Sequence, residues 1–215
     1  CGKAQGDKIT EAQLRNGYVA YKLQKGIESQ VWGQTLGTDT IPQPTTDAKK
    51  RVYEVKFTYN GEVKATRYAT NGQSIHGGLP TFTAKDLLGA GYNPKLTYAL
   101  NFGDFTANTP VTEDKSVDVT VAVSGTFPIA TAADWKEFCA LVNGGQNAID
   151  AKMTADVDLG TDIAKVGTAN KPYAGTFDGQ NHVLTVNWDA GSANDVAPFR
   201  RVGGATIKNL RTEGS

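Results

Sequence analysis

The sequence has little of what metal, thiol or nucleic-acid chemistry needs. It contains two cysteines and two histidines in 215 residues, and His76 and His182 lie too far apart in the chain for an HExxH-type metal site. The 22 basic residues are balanced by 22 acidic ones, which leaves no positive excess to bind nucleic-acid phosphates. No apolar run reaches the roughly 18–20 residues that span a bilayer. We therefore expect no cofactor and no nucleic-acid partner, and the 24 glycines favour a turn-rich β protein.

One amphipathic helix is predicted near residue 130. Thr131 occupies the N-cap position and Asp134 follows three residues later, the spacing of a capping box that satisfies free backbone N–H groups. Gly144–Gly145 favours a left-handed C-terminal cap. Between these ends, apolar residues recur at i, i+3, i+4 and i+7, as one apolar stripe requires: Trp135, Phe138, Cys139 and Val142.

Short strands are predicted after the helix. Apolar and polar residues alternate from Ala151 to Leu159, which indicates one strand with a buried face. Further strand candidates lie around Thr176–Phe177, Val183–Trp188 and Ala205–Leu210. A helix followed by short strands and tight Gly/Asn turns indicates a β-solenoid whose end the helix covers. We expect this solenoid to be incomplete, with an edge strand around Ile207 to Leu210 available for self-association.

Four segments follow the helix in a fixed order: AKMTADVDLG (Ala151–Gly160), GTFDGQNHVL (Gly175–Leu184), APF (Ala197–Phe199) and GATIKNL (Gly204–Leu210). With the tryptophan-bearing helix, they make residues 130–214 resemble the GLUG-type repeat region of bacterial surface proteins. The resemblance implies a capping helix and the first rungs of a right-handed parallel β-helix over residues 130–215. The family usually has Phe-Gly where this chain has Phe199–Arg200, so that turn is expected to differ.

A separate β-rich module is predicted for residues 9–124. The alternating strand Tyr53–Tyr59 runs directly into Asn60–Gly61, the strongest short signal for a type I′ hairpin. The other predicted elements are a returning strand, a short helix capped by Thr83, and two strands: Val63–Tyr68, Thr83–Leu88, Leu96–Phe105 and Val117–Val123. This set fits a small α+β unit of the β-grasp type or a small all-β sandwich.

The segments YEVKFTYNG (Tyr53–Gly61) and TPVTEDKSVDVTV (Thr109–Val121) also resemble the Listeria–Bacteroides repeat, the β-grasp module of internalin B-repeats. This resemblance extends over residues 51–124, although Phe102 and Phe105 stand roughly where the family has its Gly-Trp-Tyr signature. Residues 9–50 are poorly defined. Tyr18–Leu23 and Ser29–Trp32 are strand candidates that we expect to join the module's sheet, and residues 125–129 are predicted to be a linker.

Residue 1 is a cysteine followed by a polar, Gly-containing stretch. We interpret Cys1 as the lipidated first residue of a mature bacterial lipoprotein, with residues 1–8 as a flexible tether. Acyl chains on Cys1 would hold the protein on a membrane surface without spanning it. The alternative is that the chain merely happens to begin at a cysteine. Under the lipoprotein interpretation, the protein is exported and lipid-anchored at the cell surface or outer membrane.

Candidate chemistry is sparse. The run Asp156, Asp158, Gly160, Asp162 resembles a calcium loop, but Asp156 and Asp158 alternate on a predicted strand and fit its solvent face better. Asp178, Asp189 and Asp195 are carboxylates from different turns that would have to converge on one cleft to cleave a glycoside. No nucleophile elbow or phosphate loop occurs. Three aromatics that no core pattern assigns are candidates for stacking on a sugar: Trp32, Tyr92 and Tyr98.

Three functions are compatible with these patterns. The leading hypothesis is a non-enzymatic bacterial cell-surface lipoprotein that acts in adhesion or binds a glycan or a host protein ligand. The second is a structural component of a surface assembly. The third is an N-terminal fragment of a pectin-lyase-like enzyme that degrades polysaccharides. We favour the first because no catalytic constellation is visible and both resemblances are to surface-protein repeats.

Overall fold

The computed structural model describes residues 8–161, 164–188 and 196–214. Strands account for 32% of the residues and helices for 18%, so the predicted mainly-β class is confirmed. The chain divides into two compact units: the first comprises Cys1–Gly91 and Leu100–Ala122, and the second comprises Tyr92–Ala99 and Val123–Ser215. Cys1 and nearly all of the predicted tether lie outside the described residues.

The first unit contains short helices and a three-stranded sheet. Its helices are α1 (Glu11–Arg15), α2 (Tyr18–Gln24) and α3 (Ala84–Leu88). Its strands are β1 (Trp32–Gly33), β2 (Gln43–Pro44), β3 (Val52–Tyr59), β4 (Glu62–Thr70) and β6 (Lys115–Asp118). Strand β5 (Tyr98–Asn101) lies between β4 and β6 in the chain. Strand β5 forms a two-stranded sheet with β7 (Thr120–Val123), and two of the three boundaries between the units fall within these two strands.

Strand β3 is the centre of the first unit. It pairs antiparallel with β4 through the predicted hairpin and parallel with β6. Asn60 and Gly61 both have positive φ angles, 51° and 80°, as a type I′ turn requires, so the hairpin prediction is confirmed. Val55 and Phe57 on this strand are fully buried. They pack with Phe105 and Val111 from the later part of the unit.

The strand predicted for Tyr18–Leu23 is wrong, because this segment forms helix α2. Gly17, with φ 95°, begins the helix, and the face containing Val19 and Tyr21 is buried. The ring of Tyr21 lies 5.7 Å from that of Tyr68 on β4, so tertiary packing overrides the β preference of the aromatic residues. Residues 8–34 also do not join the main sheet, since within the described chain β1 pairs with β2 in a sheet of its own.

From Val123 onward, the described residues of the second unit form one long helix and seven short strands beyond β7. The helix is α4 (Ala132–Gly144), preceded by β8 (Thr126–Ile129). The remaining strands are β9 (Asp150–Met153), β10 (Val157–Asp158), β11 (Thr176–Asp178), β12 (Val183–Val186), β13 (Thr206–Lys208) and β14 (Arg211–Gly214).

All strand pairs in the stack from β8 to β14 are parallel. One sheet has the order β13-β11-β9-β8 and another has the order β10-β12-β14. Two isolated parallel bridges, Val166 with Phe199 and Tyr173 with Val202, connect successive turns of chain between these sheets. Apolar residues align in the interior: Phe127, Ala151 and Phe177 follow one another in register and are nearly inaccessible to solvent.

Helix α4 has the predicted ends and the predicted apolar stripe. Thr131 and Asp134 form both hydrogen bonds of the capping box, and Gly145, with φ 123°, ends the helix. The four stripe residues are all buried. Trp135 is fully buried, with ring contacts to Phe177 and Phe199 at 6.0 and 5.6 Å. The helix therefore covers the aromatic interior of the stacked strands.

Two predictions about this region are wrong. Residues 125–129 are not a linker, because Thr126–Ile129 forms β8 and pairs in register with β9. Phe127 and Ile129 are fully buried, and Pro128 is compatible with a strand at the sheet edge. The second wrong prediction is the single strand from Ala151 to Leu159. This segment forms two strands, β9 and β10, which belong to different sheets.

Candidate functional site

The structure places the three candidate aromatics in two different units. Trp32 is half-buried in β1 of the first unit. Tyr92 and Tyr98 both lie in the segment that joins the second unit, with ring centroids 5.4 Å apart and planes inclined by 33°. The hydroxyl of Tyr98 accepts a hydrogen bond from the backbone N–H of Asn93 at 2.9 Å. Both rings are half-buried and Tyr98 packs against the core, so little ring surface is left for a sugar.

Helix α4 fixes the loop that contains this tyrosine pair. The ammonium of Lys95 lies 2.6 Å from a carboxylate oxygen of Asp134 and also pairs with Glu137. The side chain of Asn93 donates to Glu137 at 2.7 Å. The hydrogen bond from Lys95 lowers the pKa of Asp134 to about 2. These charged contacts hold the loop to the first turns of the helix.

The carboxylates of the calcium-like run have structural partners. Asp156 accepts a hydrogen bond from the Val183 N–H at 2.9 Å and lies 3.1 Å from Nδ1 of His182. Asp158 accepts from the Gly160 N–H at 2.8 Å. Asp162 lies outside the described residues. Within residues 8–161, 164–188 and 196–214, no three His, Cys, Asp or Glu side chains are grouped as metal ligands.

Asp178 belongs to a groove on the outer face of the β8–β9–β11–β13 sheet, which we call the outer-face groove. It has a volume of about 220 Å³ and is lined by Thr126, Asp150, Ala151, Lys152, Thr176, Asp178, Gln180 and Lys208. Asp189 and Asp195, the carboxylates considered together with Asp178, lie outside the described residues. The groove therefore contains side chains from four adjacent strands and from the turn after β11.

Lys152, Asp178 and Lys208 occupy matching positions on three successive strands of this groove. Parallel strands are spaced about 4.8 Å apart, so the two ammonium groups come from strands separated by roughly 10 Å with a carboxylate between them. We call these three residues the charged ladder. Thr176 and Asp150 lie beside the ladder, and the Thr176 N–H donates to Asp150 at 2.8 Å.

The two lysines of the ladder differ in their partners. Asp178 lies 3.4 Å from the Lys208 ammonium and accepts hydrogen bonds at 3.0 Å from the Gln180 N–H and from the Asn209 side chain. These bonds, the one from the Gln180 N–H first, lower the pKa of Asp178 to about 2. Lys152 forms no ion pair with any residue that the structure describes. The ladder thus contains one satisfied ion pair and one ammonium available to a ligand.

Sequence patterns alone did not identify Lys152 and Lys208. Alternation places Lys152 on the solvent face of its strand, and Lys208 lies within the GATIKNL segment. Each looks like an ordinary exposed lysine in isolation. Aligning Ala151–Lys152 with Phe177–Asp178 and with Ile207–Lys208 as successive rungs would have been the signal, because in-register stacking brings these positions together.

The first unit contains a separate open cavity of about 610 Å³. Exposed polar side chains, among them His76, Ser74 and Lys49, form much of its lining. Lys50 at its rim pairs with Asp39 at 3.6 Å. The cavity is open and mostly polar, and its lining residues show no alignment of charged groups comparable to the ladder.

Comparison of the chain with protein-family models, with curated proteins and with solved structures gives no match in any of the three. In the described part of the chain, no helix combines the length and the apolar character needed to cross a bilayer.

Proposed function

We propose that this chain is a non-enzymatic bacterial cell-surface protein that binds an acidic glycan through the outer-face groove. The observation on which the proposal depends is the charged ladder of Lys152, Asp178 and Lys208. Lys152 offers an ammonium for a sugar carboxylate. Around it, Thr126, Thr176 and Gln180 offer donors and acceptors for sugar hydroxyls.

The fold that we propose for the second unit is the start of a right-handed parallel β-helix. Its support is the in-register parallel stacking of β8, β9, β11 and β13, together with the cover that α4 provides. For the first unit we propose a β-grasp-like module. The support there is a hairpin strand, β3, paired in parallel with the late strand β6, with the short helix α3 between them in the chain.

Binding without cleavage agrees with the pKa of Asp178 and with the hydrogen bond that Asp150 accepts in the groove. Asp178 has a pKa of about 2, so at neutral pH it is ionised and poorly matched to donate a proton to a leaving sugar. Asp150 is engaged with the Thr176 N–H. A general acid for glycoside cleavage would need a raised pKa, so Asp178 suits a ligand-positioning role better than the acid's role in the pectin-lyase-like alternative.

The ladder also separates the binding proposal from a purely structural role in a surface assembly. A structural role requires no particular charge at position 152, whereas acidic-glycan binding does. We expect the 215-residue chain to bind uronate-containing polysaccharides in affinity electrophoresis, and Lys152→Gln to weaken the binding about tenfold or more, as loss of one charged hydrogen bond would.

Lys85→Gln is the matched control, because Lys85 is an exposed lysine on α3 in the first unit. It removes the same charge and should leave the binding unchanged. Equal retardation of the parent chain and of the Lys152→Gln variant would refute the groove as the binding site. Equal binding of neutral and acidic polysaccharides would refute the acidic class of ligand.

We also propose that the protein is exported and held at the cell surface or outer membrane through a lipid on Cys1. The support for a surface location is the resemblance of residues 130–214 to the repeat region of bacterial surface proteins. Mass spectrometry of the N-terminal peptide from the source cell should detect an acylated Cys1. An unmodified cysteine in the membrane-associated protein would contradict the anchor.

A further inference from the structure

The charged ladder has a fixed order of charges across the strands. Lys152 on β9 is in register with Asp178 on β11, and Asp178 is in register with Lys208 on β13. On the other side of Lys152, the residue in register on β8 is Pro128, which has no charge. From β8 to β13, the outer face is therefore uncharged, positive, negative and positive at this position.

The outer-face groove extends across the strands, since its lining includes residues of β8, β9, β11 and β13. Neighbouring parallel strands are about 4.8 Å apart, a spacing close to the length that one pyranose unit adds to an extended polysaccharide. A glycan that lies across the strands therefore presents about one sugar to each strand. In a polysaccharide with a two-sugar repeat, equivalent sugars then meet every second strand.

The two lysines of the ladder are separated by one such repeat. Lys152 forms no ion pair with any residue that the structure describes. Lys208 pairs with Asp178 at 3.4 Å, but the Lys208 side chain is 51% exposed, and exposed ion pairs contribute little to stability. The Lys208 ammonium can therefore turn to a ligand carboxylate at small cost. The ladder thus offers ammonium groups to two sugars that are separated by a third.

The sugar between them faces Asp178. The Gln180 N–H and the Asn209 side chain both donate to Oδ1 of this carboxylate at 3.0 Å. These bonds hold the side chain in place and lower its pKa to about 2, so Asp178 is ionised at neutral pH. A carboxylate on the middle sugar would be repelled by Asp178. An uncharged sugar can instead donate a hydroxyl or amide N–H to it.

We propose that the outer-face groove selects a polysaccharide in which acidic and uncharged sugars alternate, with acidic sugars at Lys152 and Lys208 and an uncharged sugar at Asp178. This inference rests on the acidic-glycan binding proposed above and defines the class of glycan more closely. The uncharged Pro128 position continues the alternation on the other side of Lys152. The selectivity depends on repulsion by Asp178 as much as on attraction by the lysines.

Two hexasaccharides of equal length test this selectivity by isothermal titration calorimetry at low salt, where exposed charges are least screened. In a hyaluronan hexasaccharide every second sugar is a uronate, whereas in hexagalacturonate every sugar is one. Attraction by net charge alone would favour hexagalacturonate. We expect the opposite order, with the hyaluronan fragment binding about fivefold or more tightly to the parent chain.

Asp178→Asn removes the repulsive charge and keeps an oxygen that can accept from Gln180 and Asn209, so circular dichroism should stay unchanged. It should bind hexagalacturonate about fivefold or more tightly than the parent chain does and so reduce the preference for hyaluronan. Asp104→Asn is the matched control, because Asp104 is an exposed carboxylate in the first unit. It changes the net charge equally and should leave the preference as it is in the parent chain.

The possible failures are distinguishable. A parent chain that binds both hexasaccharides equally, or hexagalacturonate more tightly, would overturn the selectivity and leave acidic-glycan binding in place. An unchanged preference in folded Asp178→Asn, or the same shift in Asp104→Asn, would also overturn it. Binding of neither hexasaccharide would refute the acidic-glycan proposal and this inference with it.

Discussion

Replacing Trp135 with alanine should remove most of the stability of the second unit. The indole is fully buried, contacts the rings of Phe138, Phe177 and Phe199, and donates through Nε1 to the Ala164 carbonyl at 2.9 Å. Loss of a buried aromatic of this size costs about 3–5 kcal/mol, and the hydrogen bond adds about 0.5–1.5 kcal/mol. The expected loss is therefore about 3.5–6.5 kcal/mol, comparable to the whole stability of a marginal domain.

Urea unfolding followed by circular dichroism, with hydrogen exchange of peptides from each unit, would measure this loss. Peptides around Phe177 should lose protection in Trp135→Ala. Trp135→Phe keeps a ring but loses the N–H donor, so it should fold and lose only about 1–3 kcal/mol.

Trp32→Ala provides the control, since Trp32 is half-buried in the first unit and should not change protection around Phe177. A loss below about 2 kcal/mol in Trp135→Ala would be smaller than any cavity of this size allows. That result would show that α4 does not cover the stack as described.

Three other predictions concern acid, steric fit and alkali. Asp134→Asn should remove about 2 kcal/mol of stability at neutral pH, because Lys95 lowers the Asp134 pKa to about 2. In the parent chain this stability is present above pH of about 4 and is lost as the pH falls toward 2. Urea unfolding that gives the same pH profile for the variant and the parent chain would contradict this prediction. Gly175→Ala places a methyl 2.2 Å from the Ile149 carbonyl oxygen and should cost about 1–3 kcal/mol of stability. Gly204→Ala places its methyl where no heavy atom lies within contact distance, so it should cost only about 1 kcal/mol, for its positive φ. Equal shifts in the melting temperatures of the two variants would refute the steric argument. Burial raises the pKa of Tyr173 well above its ordinary value, so stability should be full below pH of about 10 and fall above it; tyrosinate absorbance that shows every tyrosine ionising near pH 10 in the folded protein would contradict this.

Local signals explain the elements that were predicted correctly. The capping box at Thr131 and the stripe containing Trp135 lie within one helix, so their spacing alone defines it. The hairpin at Asn60–Gly61 depends on two residues that tolerate positive φ. In both cases the residues that determine the structure are near neighbours in the chain.

The errors arose where distant residues decide the structure. Helix α2 was predicted as a strand because Tyr18 and Tyr21 favour strands, but the contact with Tyr68 holds the segment as a helix. The sequence around β8 predicts a linker because Ser124, Gly125 and Pro128 interrupt the alternating pattern, whereas its pairing partner, β9, follows only after the whole of α4. Neither partner can be recognised from local periodicity.

The candidate site was the least accessible to sequence reasoning. Tyr92 and Tyr98 were selected individually, and the structure brings them together but half-buried. The charged ladder depends on the register between strands that are separated by long turns. One residue of slip would move Lys152 from the outer face to the interior, so the ladder becomes visible only when the stacking is known.

The second unit is discontinuous along the chain. The segment Tyr92–Ala99 is followed by a stretch of the first unit, yet Leu96 belongs to the buried core of the second and Lys95 binds its helix. Proteolytic nicking between residues 100 and 122 would therefore leave two fragments held together by noncovalent contacts. Recombination at a single breakpoint near residue 123 could not transfer the second unit intact to another protein. The transferred part would contain helix α4 but would lack the loop whose Lys95 binds that helix.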